Sequence, residues 1–168
     1  MAGKLRSEIE QIADAIGQRL LERGESIAVA ESSAGGLISA ALLGVAGASA
    51  YFKGGVVVYN AAGKQRLAGM TPEELESHRP STAPHTAMLA RAIRARLEAS
   101  WAIAETGAAG PTGNRYGDAA GHAALAVAGP VERTEVINTG ESDRRHNMEA
   151  FALAALRMLQ NAMQDATA

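Results

Sequence analysis

The chain contains no cysteine. Disulfides, zinc–thiolate centres and cysteine nucleophiles are thereby excluded. Aromatic residues are scarce, at 4% of 168 residues, yet 47% of the chain is apolar. A core of that composition must be built from Ala, Leu, Ile and Val. Positive charge has no surplus: 16 basic residues face 18 acidic ones, for a formal net charge of −2. Bulk attraction to nucleic acid is therefore not expected. No unbroken apolar stretch approaches the ~20 residues that span a bilayer. The opening MAGKLRSEIEQIADAIGQ is amphipathic and carries acids, unlike the core of a secretory signal. A soluble, cytoplasmic protein with no membrane partner is expected. Neither GxxxxGK[ST] nor GxGxxG occurs, so the two commonest phosphate-binding loops are absent.

The length suits a single domain over 1–168. Leu5, Ile9, Ile12, Ile16 and Leu20 recur at helical spacing up to Gly24. Ser26 to Ala30 reads as a short strand and Leu37 to Leu43 as a helix opened by Gly35 and Gly36. Phe52 to Tyr59, with three successive valines, reads as a buried strand. A short helix is expected over Lys64 to Ala68. Thr71 before Pro72, Glu73 and Glu74 is a helix start, and a longer helix follows from about Pro84. Trp101 to Glu105 reads as a strand, and Thr106 to Gly121 as the longest irregular segment. His122 to Ala128 and Arg133 to Asn138 read as a hairpin, and a last helix starts near Ser142. Alternating elements followed by a hairpin imply an α/β fold. A three-layer α/β/α sandwich with a mixed, mostly parallel sheet is expected.

Ligand sites in such sheets lie at the carboxyl ends of strands. Three segments should meet there: Ala30–Gly36, Tyr59–Lys64 and Thr106–Gly113. In the first, Ser32 or Ser33 precedes a helix whose free amides favour negative charge. Two readings stand side by side: a helix cap, or a nucleophile with an oxyanion held by nearby amides. A serine nucleophile needs a base. Of the four histidines, only His122 borders the glycine-rich segment; His78 and His85 flank a connecting loop and His146 lies on the last helix. Lys64, one of three lysines, also serves if its amine is desolvated, and Tyr59 is a partner for either group. Lys64 reads equally as a solvated helix residue. The glycines of TGAAGPTG permit a backbone cradle for phosphate, and Arg115, Arg144 and Arg145 are candidate anion contacts.

The stretches AESSAGGLISAAL, GGVVVYNAAGKQRLAGM and TGAAGPTG, in this order and spacing, resemble the CinA C-terminal domain family. That family includes stand-alone nicotinamide mononucleotide amidases. Its usual patterns are AESxTGG, YxNxxK after a GxVxY strand, and SGIAGPxGG. The resemblance runs from about Glu8 to Leu159 and implies a hydrolase that converts nicotinamide mononucleotide to nicotinate mononucleotide and ammonia. It implies Ser32 as nucleophile, Lys64 as base and Tyr59 as its helper, with no metal and no cofactor. Ser33, Gly35, Gly36, Thr106, Gly107, Gly110, Thr112, Gly113, Arg144 and Arg145 would contact substrate, amides near Gly35 and Gly36 holding the oxyanion. Self-association into a homodimer is a further expectation from the family.

The sequence departs from the family pattern where substrate would be read. Ser33 and Ala34 replace the usual cysteine and threonine. Asn60, Ala61 and Gly63 alter the run before the lysine, and Glu105 puts an acid before Thr106. The loop Asn114–Gly121 and His122 differ from the common continuation. GESDRRHN stands where GDRxxxR is usual, its arginines out of register. A non-catalytic nucleotide-binding module, or an amidase for another small carboxamide, are the alternatives.

Overall fold

The computed structural model describes residues 2–166. Helix α1 (Ala2–Arg23) leads into strand β1 (Ile27–Glu31), helix α2 (Leu37–Leu43) and strand β2 (Phe52–Val57). Two short turns, α3 (Ala61–Gly63) and a π-helical segment (Lys64–Ala68), precede α4 (Pro72–Ser77) and α5 (Ala83–Arg96). Strands β3 (Trp101–Ala108), β4 (His122–Ala128) and β5 (Arg133–Asn138) and the long helix α6 (Arg144–Asp165) complete the order. Among the described residues, no helix is long and apolar enough to cross a membrane.

The sheet is five-stranded, in the order β2-β1-β3-β4-β5. β1 pairs in parallel with β2 and β3, whereas β4 is antiparallel to both β3 and β5. The fold is α/β with a mixed sheet, and its pairings divide equally between parallel and antiparallel. The single reversed strand, β4, accounts for both antiparallel pairings because it has a neighbour on each side.

Successive strand residues face opposite ways, and here they enter separate apolar clusters. Ile27, Val29, Trp101, Ile103, Leu125 and Val127 pack with Ile16 and Leu20 of α1, Ile38 and Leu42 of α2, and Phe151, Leu156 and Leu159 of α6. Ala28, Ala30, Ala102, Ala104, Ala126 and Ala128 pack with Leu89, Ala90 and Ile93 of α5. The scarcity of aromatics thus has a structural counterpart: the sheet face toward α5 is alanine. Each fully buried Leu or Ile contributes ~1.5–3 kcal/mol of transfer free energy.

Two elements differ from the sequence reading. β2 is not buried: its residues alternate between half-buried and exposed, with Val57 46% exposed. It lies at the sheet edge with only β1 beside it, so the consecutive valines do not signal burial on both faces. β3 continues three residues past Glu105 into the segment read as irregular. Gly107 permits this extension, because a Cβ there would lie 2.5 Å from the His122 carbonyl of the adjoining strand.

Candidate active site

The carboxyl ends of β1, β2 and β3 and the start of α5 surround a cavity of about 370 Å³. That size is within the ~300–1,000 Å³ of small-molecule sites. Ser32, Tyr59, Lys64, Thr106 and Gly107 all line it, together with His85, Ser81, Asn114, Arg115 and Tyr116.

Ser32 stands one residue beyond β1, in a tight turn leading to α2. Gly35 and Gly36 have φ of +68° and +99°, a region that side chains rarely adopt. Two buried carboxylates organise this turn. Glu31 Oε1 accepts from the amides of Gly36 (2.7 Å) and Ile38 (3.2 Å), and its Oε2 from the amide (2.9 Å) and hydroxyl (2.8 Å) of Ser39. It caps α2 in place of a side chain at Gly36, and its charge suits the helix N-terminus. Glu105, fully buried, accepts from the amides of Ser32 (3.0 Å) and Ala34 (2.8 Å) and from the Ser33 hydroxyl. Burial pushes the Glu105 carboxyl above its usual range, opposed by these three donors.

These bonds reassign the turn. Ser33 is the buried anchor and does not line the cavity, while Ser32 is half-buried and does. The amides expected to hold an oxyanion are engaged, Gly36 by Glu31 and Gly35 by the Ser32 carbonyl at 3.1 Å. Among the amides of residues 32 to 37, only that of Ser33 has no acceptor.

Lys64 opens the π-helical segment. Asn60 caps the preceding turn, its side chain accepting from Gly63 at 2.9 Å. The Lys64 side chain is 4% exposed. Desolvation lowers its pKa to about 8, against the opposing pull of Glu105. Its Nζ lies 2.9 Å from His85 Nε2. No hydrogen bond joins Ser32 Oγ to Lys64 among the described residues. Tyr59 is 67% exposed, and its hydroxyl accepts from Arg144 Nη2 at 3.1 Å.

Thr106, on the opposite strand face from Glu105, is 2% exposed. Its hydroxyl accepts from the Ser81 amide (3.1 Å) and meets the Thr86 hydroxyl (2.8 Å), tying β3 to α5. Gly110, Thr112, Gly113, Arg144 and Arg145 do not line the cavity. Arg144 instead links the Gly110 carbonyl (2.7 Å) to Tyr59, and Arg115 is the arginine on the cavity wall. Arg115 is presented by a loop that Asn114 closes on itself through the amides of Tyr116 (3.0 Å) and Asp118 (3.1 Å). Arg79 grips Asp118 with two bonds of 2.7 and 3.0 Å, which holds that carboxyl down at about 2.

The histidine of the site is His85, not His122. His122 Nε2 donates to the Ser81 carbonyl at 2.8 Å and lies outside the cavity. His85 was legible: with Leu89 and Ile93 it recurs every four residues, on the buried face of α5. Glu105 was legible too, continuing the alternation of Trp101 and Ile103 toward α2. Among the described residues, no group of three or more His, Asp or Glu side chains is arranged to hold a metal ion.

A half-buried serine and a buried amine thus line one cavity at the carboxyl edge of an α/β sheet. The CinA C-terminal domain model matches residues 9–163, and the chain belongs to that family. It is 36% identical over 155 residues to a CinA-like protein of Anaeromyxobacter dehalogenans, covering 92% of this chain and 38% of the relative. A CinA-like protein of Prochlorococcus marinus is 41% identical over 124 residues, covering 74% of this chain and 29% of the relative. The chain thus spans about a third of the length of these curated relatives. The competence/damage-inducible protein CihA of Agrobacterium tumefaciens superposes with a TM-score of 0.86 at 29% identity, over 92% of this chain and 95% of that one. A CinA superfamily structure from Enterobacter cloacae gives 0.85 at 27%, over 92% of both.

Proposed function

We propose that this chain is an amidohydrolase that converts nicotinamide mononucleotide to nicotinate mononucleotide and ammonia. The observation that carries the reading is a desolvated lysine amine in the same cavity as a half-buried serine at a turn. Membership of a family that includes such amidases supports it. An amine of ordinary basicity would be almost wholly protonated near pH 7. At about 8, roughly a tenth is neutral, enough for general-base work.

In the proposed reaction Lys64 takes the Ser32 hydroxyl proton while Oγ bonds to the carboxamide carbon. The tetrahedral oxyanion is held by the unpartnered Ser33 amide, which replaces Gly35 and Gly36 in that role. The C–N bond then breaks, Lys64 returns its proton to the nitrogen, and ammonia leaves. Water attacks the acyl group, its proton passing to Lys64 and then to Oγ, which frees the acid and the serine. Tyr59 lies on the cavity wall, fixed by Arg144. The substrate's phosphate is assigned to Arg115, and its ring to the space beside Tyr116.

Ammonia and nicotinate mononucleotide release by the parent and by Ser32→Ala tests this. Release that falls at least ~10³-fold in the variant is expected, in line with losing a covalent nucleophile. Tight binding without release by the parent would make the chain a nucleotide-binding module instead. Release from a different small carboxamide alone would move the substrate assignment.

A further inference from the structure

His85 and Lys64 form a buried pair that the serine-amidase reading leaves unexplained. The His85 ring is fully buried, and its two nitrogens have different partners. Nδ1 lies 2.9 Å from the His78 carbonyl oxygen at the end of α4. A carbonyl only accepts, so Nδ1 carries the proton. Nε2 lies 2.9 Å from Lys64 Nζ. A neutral ring protonated at Nδ1 has its lone pair on Nε2, so the amine donates. Burial, the neighbouring amine and a place in the first turn of α5 all disfavour an imidazolium.

We propose that His85 is a positioning residue: by accepting one Lys64 N–H, it fixes the amine so that its lone pair is available to the Ser32 cavity. The use of that lone pair for amide hydrolysis rests on the function proposed above; the pairing itself does not. The geometry explains why an unbranched, flexible side chain suffices as a base. A neutral amine has two N–H bonds and one lone pair. With one N–H held by Nε2, rotation about Cε–Nζ is arrested. His85 does not compete for the proton, since burial lowers it to about 4 while Lys64 stands at about 8.

Other charges face the pair. Glu105 of β3 favours the ammonium form, and Glu31 of β1 lies beside Glu105. His78 meets the far side of the ring, and Tyr59 and Arg115 stand on the cavity walls. None of these supplies Lys64 with a second hydrogen-bond acceptor among the described residues, so the His85 contact is the one that orients it.

Competitive acetylation of Lys64 by acetic anhydride, read by peptide mass spectrometry against pH, tests the proposal without any substrate. Parent, His85→Leu and His85→Gln are compared. Losing the acceptor destabilises the ammonium, so His85→Leu should lower the Lys64 midpoint by about half a unit or more. Its kcat for amide hydrolysis should fall roughly 10²-fold with KM within about two-fold. His85→Gln keeps an acceptor oxygen and should recover most of both. A folded His85→Leu with an unmoved midpoint and an unmoved kcat overturns the proposal. If His85→Leu does not fold, ¹⁵N-histidine spectra of the parent decide. A neutral ring protonated at Nδ1, with an Nε2 resonance that moves in Lys64→Met, is expected. A ring protonated at Nε2, or a resonance indifferent to Lys64→Met, overturns it. A parent that releases no ammonia from nicotinamide mononucleotide, while its Lys64 midpoint still moves in His85→Leu, sinks the amidase reading and leaves the positioning role standing.

Discussion

At the scale of the residue, a buried amine is a cost that the fold carries at neutral pH. The Lys64 pKa falls from 10.5 to about 8 on folding. The unfolded chain therefore binds more protons across about pH 8 to 10.5, and stability rises with pH through that window. Each unit is worth about 1.4 kcal/mol, so the burden at pH 7 is about 3 kcal/mol. Lys64→Met removes it, but leaves His85 Nε2 without a partner at a cost of ~1–3 kcal/mol. The expected result is a variant without turnover that is as stable as the parent or more stable by about 1 kcal/mol in urea at pH 7. Its advantage should vanish near pH 10. An equally inactive but much less stable variant would mean that Lys64 is structural.

Recognition is also a residue-scale matter. Arg115 lines the cavity and Arg145 does not. Arg115→Ala should raise KM for the mononucleotide about 10- to 100-fold, the range of a charge-assisted contact. Arg145→Ala should leave KM within about two-fold. Steady-state kinetics on both variants checks the assignment; the reverse pattern would move the phosphate to the last helix. Ser32, Tyr59 and Lys64 were legible because their residue types and spacings match a known pattern. The buried position of His85 is legible from its helical spacing with Leu89 and Ile93, but its partners are not, because Lys64 and the His78 carbonyl lie 21 and 7 residues away in sequence.

At the scale of the element, the site depends on short pieces held by side-chain caps. α2 has glycine at its N-cap, so Glu31 supplies the missing acceptors from the end of β1. Glu31→Gln removes the charge and some of the acceptor capacity and should cost about 2 kcal/mol or more in urea unfolding. α4 carries a complete capping box, Thr71 accepting from the Glu74 amide (3.2 Å) and Glu74 from the Thr71 amide (2.9 Å). Thr71→Ala should cost ~1 kcal/mol by the same measurement. That helix ends at the carbonyl holding His85, so a surface cap is coupled to the site. The Thr–Pro–Glu–Glu signature made this helix start readable from sequence. The reach of β3 was not, because glycine normally ends strands. Here Gly107 continues one, where the adjoining strand leaves no room for a side chain.

At the scale of the molecule, apolar periodicity fixed which segments are helices and which are strands, and the hairpin was evident from its Gly–Pro turn. Exposure of β2 was hidden, because position in the strand order is a property of the whole sheet and not of FKGGVVVY. The same holds for the loop carrying Arg115: its anchor, Arg79, comes from a segment 39 residues away from Asp118. Global stability carries a signature of the site in acid. The His85 pKa is lowered from 6.5 to about 4. The unfolded chain binds the extra proton between those values, so the His85 contribution to stability rises with pH there. Glu105, raised by burial, acts in the opposite sense above the ordinary carboxylate range. The difference between parent and His85→Gln isolates the histidine. It should shift in favour of the parent by roughly 3 kcal/mol between about pH 4 and 7. A pH-independent difference in urea stability would contradict the buried neutral ring.

Covalent chemistry at Ser32 is open to direct test by rapid acid quench of the parent with nicotinamide mononucleotide, followed by peptide mass spectrometry. An adduct of the substrate less ammonia is expected on the peptide bearing Ser32, absent in Ser32→Ala. Nicotinate mononucleotide formed at full rate with Ser32 unmodified throughout would contradict it.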